Sequence, residues 1–412
     1  MRGRTEEQPD LFHVFNIEAR IRADHPLRDV KRRVDSILMA MSPTFVQAYS
    51  RTGRPSVPPE RLLKAMLIMT MYSIRSERQL CERLQTDLLF RWFLDMQPSE
   101  EAFDHAVFTH NRARLDDHDL TKKFFDAVVS EALTADLCSE HFSVDGTMIE
   151  SFASAKSFQP KAKPDASDNN GIGSSDAAGP GAAGPGAAGP SAPGPGAAGD
   201  GNAFKPRNVE VDFHGQKRSN ETHQSRTDPE AKLHRKGPGK EAKLSHMGHA
   251  LTENRNGLIV GITTTEANGT AEREAALDLV DELKSTHQRQ PKTLGTDKGY
   301  DSGEFLQALE AREIEPHVPL VKDPCDLEDV VHSKRKPGVE ARHRMKERQS
   351  TMEYQLSQKC RKKVEEVFGW LKEIGELGRS RWVGRWKIQQ MLEIGAAAYN
   401  LIRLRKLKPV VQ

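Results

Sequence analysis

Three acidic positions are set apart from the other carboxylates of this 412-residue chain by their surroundings. Asp145 closes the β-like run Phe142-Ser143-Val144 and is followed by Gly146, within a stretch that continues to Ile149. Asp297 closes Thr293-Leu294-Gly295-Thr296 and is followed by Lys298-Gly299-Tyr300. Small and turn-forming residues after each aspartate leave room for a phosphate to approach. Glu365 lies in the segment Arg361 to Lys372, where Val364, Val367, Phe368 and Leu371 recur at helical spacing. Arg361 falls one turn before Glu365 and Lys372 two turns after it, so one helix face carries an acid between two cations. Phosphodiester cleavage with two divalent cations needs acidic oxygens that converge from separate parts of a fold. Magnesium prefers carboxylates, and two such ions about 4 Å apart serve the attacking and the leaving oxygen. Taken singly, each aspartate also fits a structural strand end, and the helix fits a surface charge ladder.

The elements around these residues change character along the chain. The first third is expected to be helical. Ser56-Val57-Pro58-Pro59-Glu60 suits a helix start, because proline in the first turn forfeits no intrahelical bond. Leu62, Leu63, Met66, Leu67 and Met69 supply its apolar stripe. Ser76-Glu77-Arg78-Gln79 reads as a capping box, followed on one broad face by Leu80, Leu84, Leu88, Trp92 and Phe93. Phe124, Phe125, Val128, Val129 and Leu133 mark another helix. From about residue 159 to 205 the chain is Gly, Ala, Pro, Ser and Asp with a repeated PGAAG unit, too poor in large apolar side chains to offset its ordering entropy, and reads as a flexible spacer. Beyond it, the runs 244–251 and 258–264, joined through Asn254-Arg255-Asn256-Gly257, signal a hairpin. An amphipathic helix over 271–283, the strand ending at Asp297 and a strand at 315–319 complete an α/β domain with a mixed sheet.

Composition narrows the partners. Lys plus Arg number 61 and Asp plus Glu 59, so overall charge is uninformative while its distribution is not. Lys334 to Arg348, the segment from Lys359 to Lys363, the stretch from Lys232 to Lys243 and the C-terminal Arg403, Arg405, Lys406 and Lys408 are dense in cations, as phosphate-backbone binding requires, although each alone also fits a solvated face. Cys81, Cys138, Cys325 and Cys360 are scattered, which argues against a disulfide framework and a structural zinc site. His246 and His249, at helical spacing, read as ordinary histidines. No membrane-length apolar run and no secretory signal is visible, so a cytoplasmic location is expected.

The motifs together resemble the IS5-type insertion-sequence transposases, within the group having a DDE catalytic core on an RNase H-like fold. The likeness rests on Asp24-His25-Pro26-Leu27, the segment from Tyr49 to Ser56, Tyr72 to Leu80, Phe90-Arg91-Trp92-Phe93, His141 to Thr147, Asp297 to Ser302, Arg361 to Lys372 and Ala397 to Leu404. It implies a helical N-terminal domain over 1–135 for DNA-end binding and dimerisation, and an RNase H-like mixed sheet flanked by helices over 136–412, interrupted by the spacer. It implies Asp145, Asp297 and Glu365 as catalytic residues holding two Mg²⁺, with Mn²⁺ able to substitute, and Arg361, Lys372 and Lys298 as phosphate contacts. Arg51, Arg54, Arg75 and Arg78 are the candidates for binding terminal inverted repeats on double-stranded DNA, and synapsis implies a homodimer or larger. Two departures from the family pattern occur: Gln358 replaces a tyrosine, and Glu366 an arginine. The alternatives are a metal-dependent nuclease that cuts without joining, and a DNA-binding repressor with a decayed site.

Overall fold

Pro58 and Pro59 set the entry to a buried helix whose residues from Leu62 to Thr70 are all shielded from solvent, as the apolar stripe requires. The computed structural model that places it describes residues 16–50, 52–53, 55–161, 218–237, 239–326 and 336–407. The expected spacer, the arginines at 51 and 54, and the start of the basic stretch at 334–335 lie outside the described residues.

The helical layer comprises α1 (Ile17–Arg20), α2 (Leu27–Ala40), α3 (Ser42–Ala48), α4 (Pro59–Met71), α5 (Glu77–Thr86), α6 (Leu88–Phe93), α7 (Ala106–Asp117) and α8 (Leu120–Thr134). Ser76 caps α5 by accepting from Gln79 N at 3.1 Å. The return bond of the capping box goes one residue further back than expected, from Arg75 N to the Gln79 amide oxygen at 3.2 Å. The broad apolar face read across 80–93 is interrupted. Asp87 accepts from Leu89 N and Phe90 N, which starts a new helix and turns Leu88 outward to 36% exposure.

The sheet begins with β1 (His141–Glu150), so Asp145 lies in the middle of a ten-residue strand and not at its end. Short strands β2 (Phe158–Pro160) and β3 (His223–Ser225) pair with each other on either side of the undescribed segment. β4 (Lys232–His234), β5 (Lys243–Glu253) and β6 (Ile259–Glu266) follow. β5 pairs antiparallel with β1 along one edge and with β4 and β6 along the other. The hairpin turn ends at Gly257, whose φ of +67° is the left-handed conformation the Asn-Gly signal anticipates. Helix α9 (Ala271–His287) then crosses to β7 (Thr293–Gly295), and α10 (Gly303–Glu310) to β8 (Glu315–His317). β7 runs parallel to β1, and β8 parallel to β7, which makes the sheet mixed. His246 and His249 lie on strand β5, where their odd spacing sends them to opposite faces, and both are fully buried. His246 meets Asp228 at 2.9 Å, and His249 meets Thr265 Oγ1 at 2.7 Å.

Four helices close the chain: α11 (Lys336–Arg348), α12 (Met352–Cys360), α13 (Lys362–Glu373) and α14 (Arg385–Leu407). α14 packs against α8, α4 and α2 on the helical side, and against β6 and α13 on the sheet side. Its Asn400 amide both donates to and accepts from the Ile259 backbone, at 2.7 and 2.9 Å. Buried apolar residues of the helical layer and of the sheet thereby form one continuous cluster. A helical region followed by a mixed sheet flanked by helices is the α/β, RNase H-like architecture. Among the described residues no helix is long and apolar enough to cross a membrane.

Candidate active site

The sheet register brings the two aspartates abreast. Parallel pairing sets Ser143 opposite Gly295, and Asp145 and Asp297 each lie two residues further on. Even spacing from a matched pair carries both side chains to the same face. β7 stops at Gly295 while β1 continues to Glu150, so the sheet opens into a notch at the aspartates. There Asp297 turns the chain: its Oδ1 accepts from Gly299 N at 2.8 Å and caps the short 3₁₀ turn Lys298–Tyr300. Asp145 Oδ1 accepts from Gly146 N, also at 2.8 Å.

Helix α13 supplies the third acid. Val364, Val367, Phe368 and Leu371 are buried against β1, β5 and α14, each contributing roughly 1.5–3 kcal/mol of hydrophobic stabilisation. This fixes the opposite side of the helix over the notch. Arg361 sits at the junction of α12 and α13, where its guanidinium spans two acids, 3.5 Å from Asp145 Oδ2 and 3.4 Å from Glu365 Oε1. Glu366 points elsewhere, to Arg403 at 3.0 Å, as its place about 100° round the helix requires. Gln358, at the tyrosine position of the family pattern, donates to the carbonyls of His317 and Thr296 at 2.7 and 3.3 Å and so ties α12 to the strand ends beside Asp297. Tyr354 packs edge-on against His317.

Electrostatics distinguish this cluster from an ordinary surface. Burial pushes the Asp145 carboxyl up to about 6, reinforced by the charges of Asp297 and Glu365 and opposed by the Gly146 N–H and Arg361. A further acid belongs to the same field. Glu272, in the first turn of α9, is raised by burial and then by Asp297 and Asp145. Sequence reading passes over Glu272, because an acid in a helix's first turn is favoured by the helix dipole alone and carries no distinguishing mark.

The other expected phosphate contacts lie apart. Lys298 is exposed beside Asp297. Lys372, further along α13, lines a 510 Å³ depression with Arg75, Phe152, Arg379, Arg381 and Glu376. Burial lowers its ammonium, and the charge of Lys236 adds to this. Four cations of the basic segment beginning at 334 are paired with acids. Arg342 pairs with Asp301, Arg344 and Arg348 with Glu310, and Lys346 with Asp323. There the solvated-face reading is the better description.

The donor set suits a hard divalent cation, since carboxylate oxygens from β1, the β7 turn and α13 face one notch. Two further features favour a cation there: the crowding of like charges around Asp145, and a fully buried Tyr300 hydroxyl in the same field without a hydrogen-bond partner among the described residues. Among the described residues, however, no three acidic, histidine or cysteine side chains already enclose a single ion position. Arg361 bridges two of the acids, and the 61%-exposed Glu365 side chain has space to swing inward.

Two family models match this chain. Residues 15–114 match the model of a transposase domain, DUF772, and residues 211–401 match the transposase DDE domain, a type that works with divalent metal ions. The second match holds Asp297 and Glu365; Asp145 precedes it. No curated protein and no solved structure matches the chain significantly. With a transposase domain at either end of the described fold and acids gathered at the notch between β1 and β7, the enzyme is a DDE-type transposase acting on DNA.

Proposed function

We propose that this chain is the transposase of an IS5-type insertion sequence, binding the element's terminal inverted repeats and catalysing both cleavage and strand transfer. The observation that carries the proposal is the register that sets Asp145 beside Asp297, with Glu365 facing them across the Arg361 bridge. In this reading Asp145, Asp297 and Glu365 hold two Mg²⁺, and Mn²⁺ can substitute. When bound, the cations supply activation of the attacking oxygen and charge stabilisation of the leaving one.

The protein's own side chains do the rest. Asp145 and Asp297, anchored by the Gly146 and Gly299 N–H groups, present fixed oxygens toward the notch. The Arg361 guanidinium exchanges its carboxylate partners for a phosphate oxygen of the DNA, and Lys298 borders the same entrance. Hydrolysis at the element end frees a 3′-hydroxyl. Its oxygen then attacks a target phosphate and displaces the target strand's 3′-oxygen, so phosphodiester bonds broken and formed balance without a covalent protein intermediate. Residues 1–135 contribute end recognition, and residues 136–412 the chemistry. The depression holding Lys372, Arg75 and Arg379 offers a cationic track for the flanking backbone. Synapsis of two ends calls for a homodimer or larger.

The test combines labelled element ends, a target plasmid and Mg²⁺. Joined products are expected from the parent protein, and Asp145→Asn should reduce cleavage by about a thousandfold, equivalent to about 4 kcal/mol of lost charge stabilisation. Cut ends that are never joined would indicate a nuclease. Undiminished cleavage by Asp145→Asn would overturn the site.

A further inference from the structure

We infer that Glu272 is a fourth carboxylate of the cation site, reaching it through the gap left by Gly146, with the Tyr300 hydroxyl as its positioning hydrogen-bond donor. The inference rests on the acid site proposed above and extends it to residues outside the expected triad.

The first observation is steric. Alternation along β1 turns Gly146 to the face opposite Asp145, toward α9. A Cβ built on Gly146 would stand 2.8 Å from Glu272 Oε1, 3.0 Å from its Cγ and 3.2 Å from its Cδ. The carboxyl group of Glu272 thus occupies the place where any other residue would put its side chain. Real Cβ atoms essentially never approach an atom as closely as 2.8 Å, so glycine at 146 is the condition for this carboxylate to lie against the strand. Glu272 thus approaches β1 from the α9 side, where it lies in the field of Asp297 and Asp145. Among the described residues no ion pair to Glu272 is formed: the charge of Arg273 acts on it, but that guanidinium turns toward the Gly299 carbonyl at 3.4 Å.

The second observation is independent of the acids. Tyr300 is fully buried, and its hydroxyl has no hydrogen-bond partner among the described residues. A buried hydroxyl left unpaired is costly, and pairing in a ligated state would recover that cost. The charges nearest in effect to that hydroxyl are Glu272, Asp145 and Asp297, in that order. Its ring is held in place against Phe305, with centroids 5.5 Å apart. A phenol O–H can donate to an acceptor, and the charges acting most on it are those of these carboxylates. A carboxylate drawn toward a cation and steadied by a neighbouring O–H is the usual outer support of a metal ligand.

The test is Mn²⁺ binding to the full-length protein without DNA, followed by the paramagnetic signal of free Mn²⁺, with thermal melting in metal-free buffer as the check on folding. Glu272→Gln is expected to weaken Mn²⁺ binding at least tenfold while leaving the metal-free melting temperature unchanged or raised, because a buried acid among acids has been neutralised. Glu272→Asp should recover part of the affinity. Tyr300→Phe should weaken binding several-fold with no loss in melting temperature, a result that a purely structural tyrosine would not give. Parent-like Mn²⁺ affinity in Glu272→Gln, alongside a loss in Asp145→Asn, would overturn the role of Glu272 and leave the triad standing. Parent-like affinity in Asp145→Asn and Asp297→Asn as well would overturn both. Should Glu272→Gln melt early, the comparison passes to Tyr300→Phe, where unchanged affinity overturns the inference.

Discussion

Two aspartates near the same sheet, Asp228 buried and Asp145 half-buried, are treated in opposite ways. Asp228 receives Ser151 Oγ at 2.7 Å and His246 Nε2 at 2.9 Å, and its own N–H donates to Ser225 Oγ at 3.0 Å. Burial alone would raise its carboxyl, yet the His246 and Ser151 hydrogen bonds hold it below the ordinary range. Asp145 is surrounded instead by Asp297, Glu365 and, through the gap at Gly146, Glu272, with a single bridging arginine. The first cluster joins the β3–β4 connection to β1 and β5 and gives Asp228 Oδ2 two donors, although Asp228 Oδ1 and His246 Nδ1 have no partner among the described residues. The second is an arrangement of acceptors short of cations. Burial of an acid therefore says little about its role; the signs of its neighbours say more.

The comparison can be broken most forcefully at Asp228. Asp228→Ala should cost about 3–5 kcal/mol, because it strands His246 and Ser151 in the interior, and should appear as a large drop in melting temperature. A similar drop for Asp145→Asn would erase the distinction. The next effect is a pH dependence. Because the folded Asp145 carboxyl is raised to about 6, its protonated form favours the fold. That contribution is complete below the ordinary carboxyl range near 4 and is lost as pH rises through about 6. The metal-free protein should therefore lose roughly 2–3 kcal/mol across this window in denaturant titrations. Asp145→Asn should remove the loss, whereas an identical profile in that variant would assign it to other groups. The smallest effect sharpens the same contrast among cations. Lys372→Ala or Lys298→Ala should lower the salt dependence of DNA binding by about one unit of slope, and Arg344→Ala, whose charge already belongs to Glu310, should leave it unchanged. Filter binding across a salt series reads all three.

Much of the frame was legible in the residues. Helix α4 announces itself by its prolines and stripe, the β5–β6 hairpin by Asn256-Gly257, and the notch by two aspartates that each follow a β-like run. What escaped has a physical cause in each case. Strands β2, β3 and β4 have three residues apiece, too few to show a local period, and β2 and β3 pair only with each other across more than sixty residues. The break at Asp87 depends on a side chain capping Leu89 and Phe90, which outweighs an apolar pattern running straight through. The cations of α11 look like a DNA-binding run until Asp301 and Glu310 are brought beside them by α10 and the turn before it. Glu272 was hidden because its importance comes from a glycine on another element.

Helix α14 runs between the two layers as a common spine, with Ile388, Met391, Leu392 and Leu401 all shielded along its length. It touches α2, α4 and α8 as well as β6 and α13, the last of which carries Glu365. Twenty-three residues of continuous helix span about 35 Å, and such a rod resists bending when both flanks are packed. If the N-terminal layer grips the element end as proposed, this rod would present that double helix to the notch at a set angle and distance, as work is clamped to a bench before the cut.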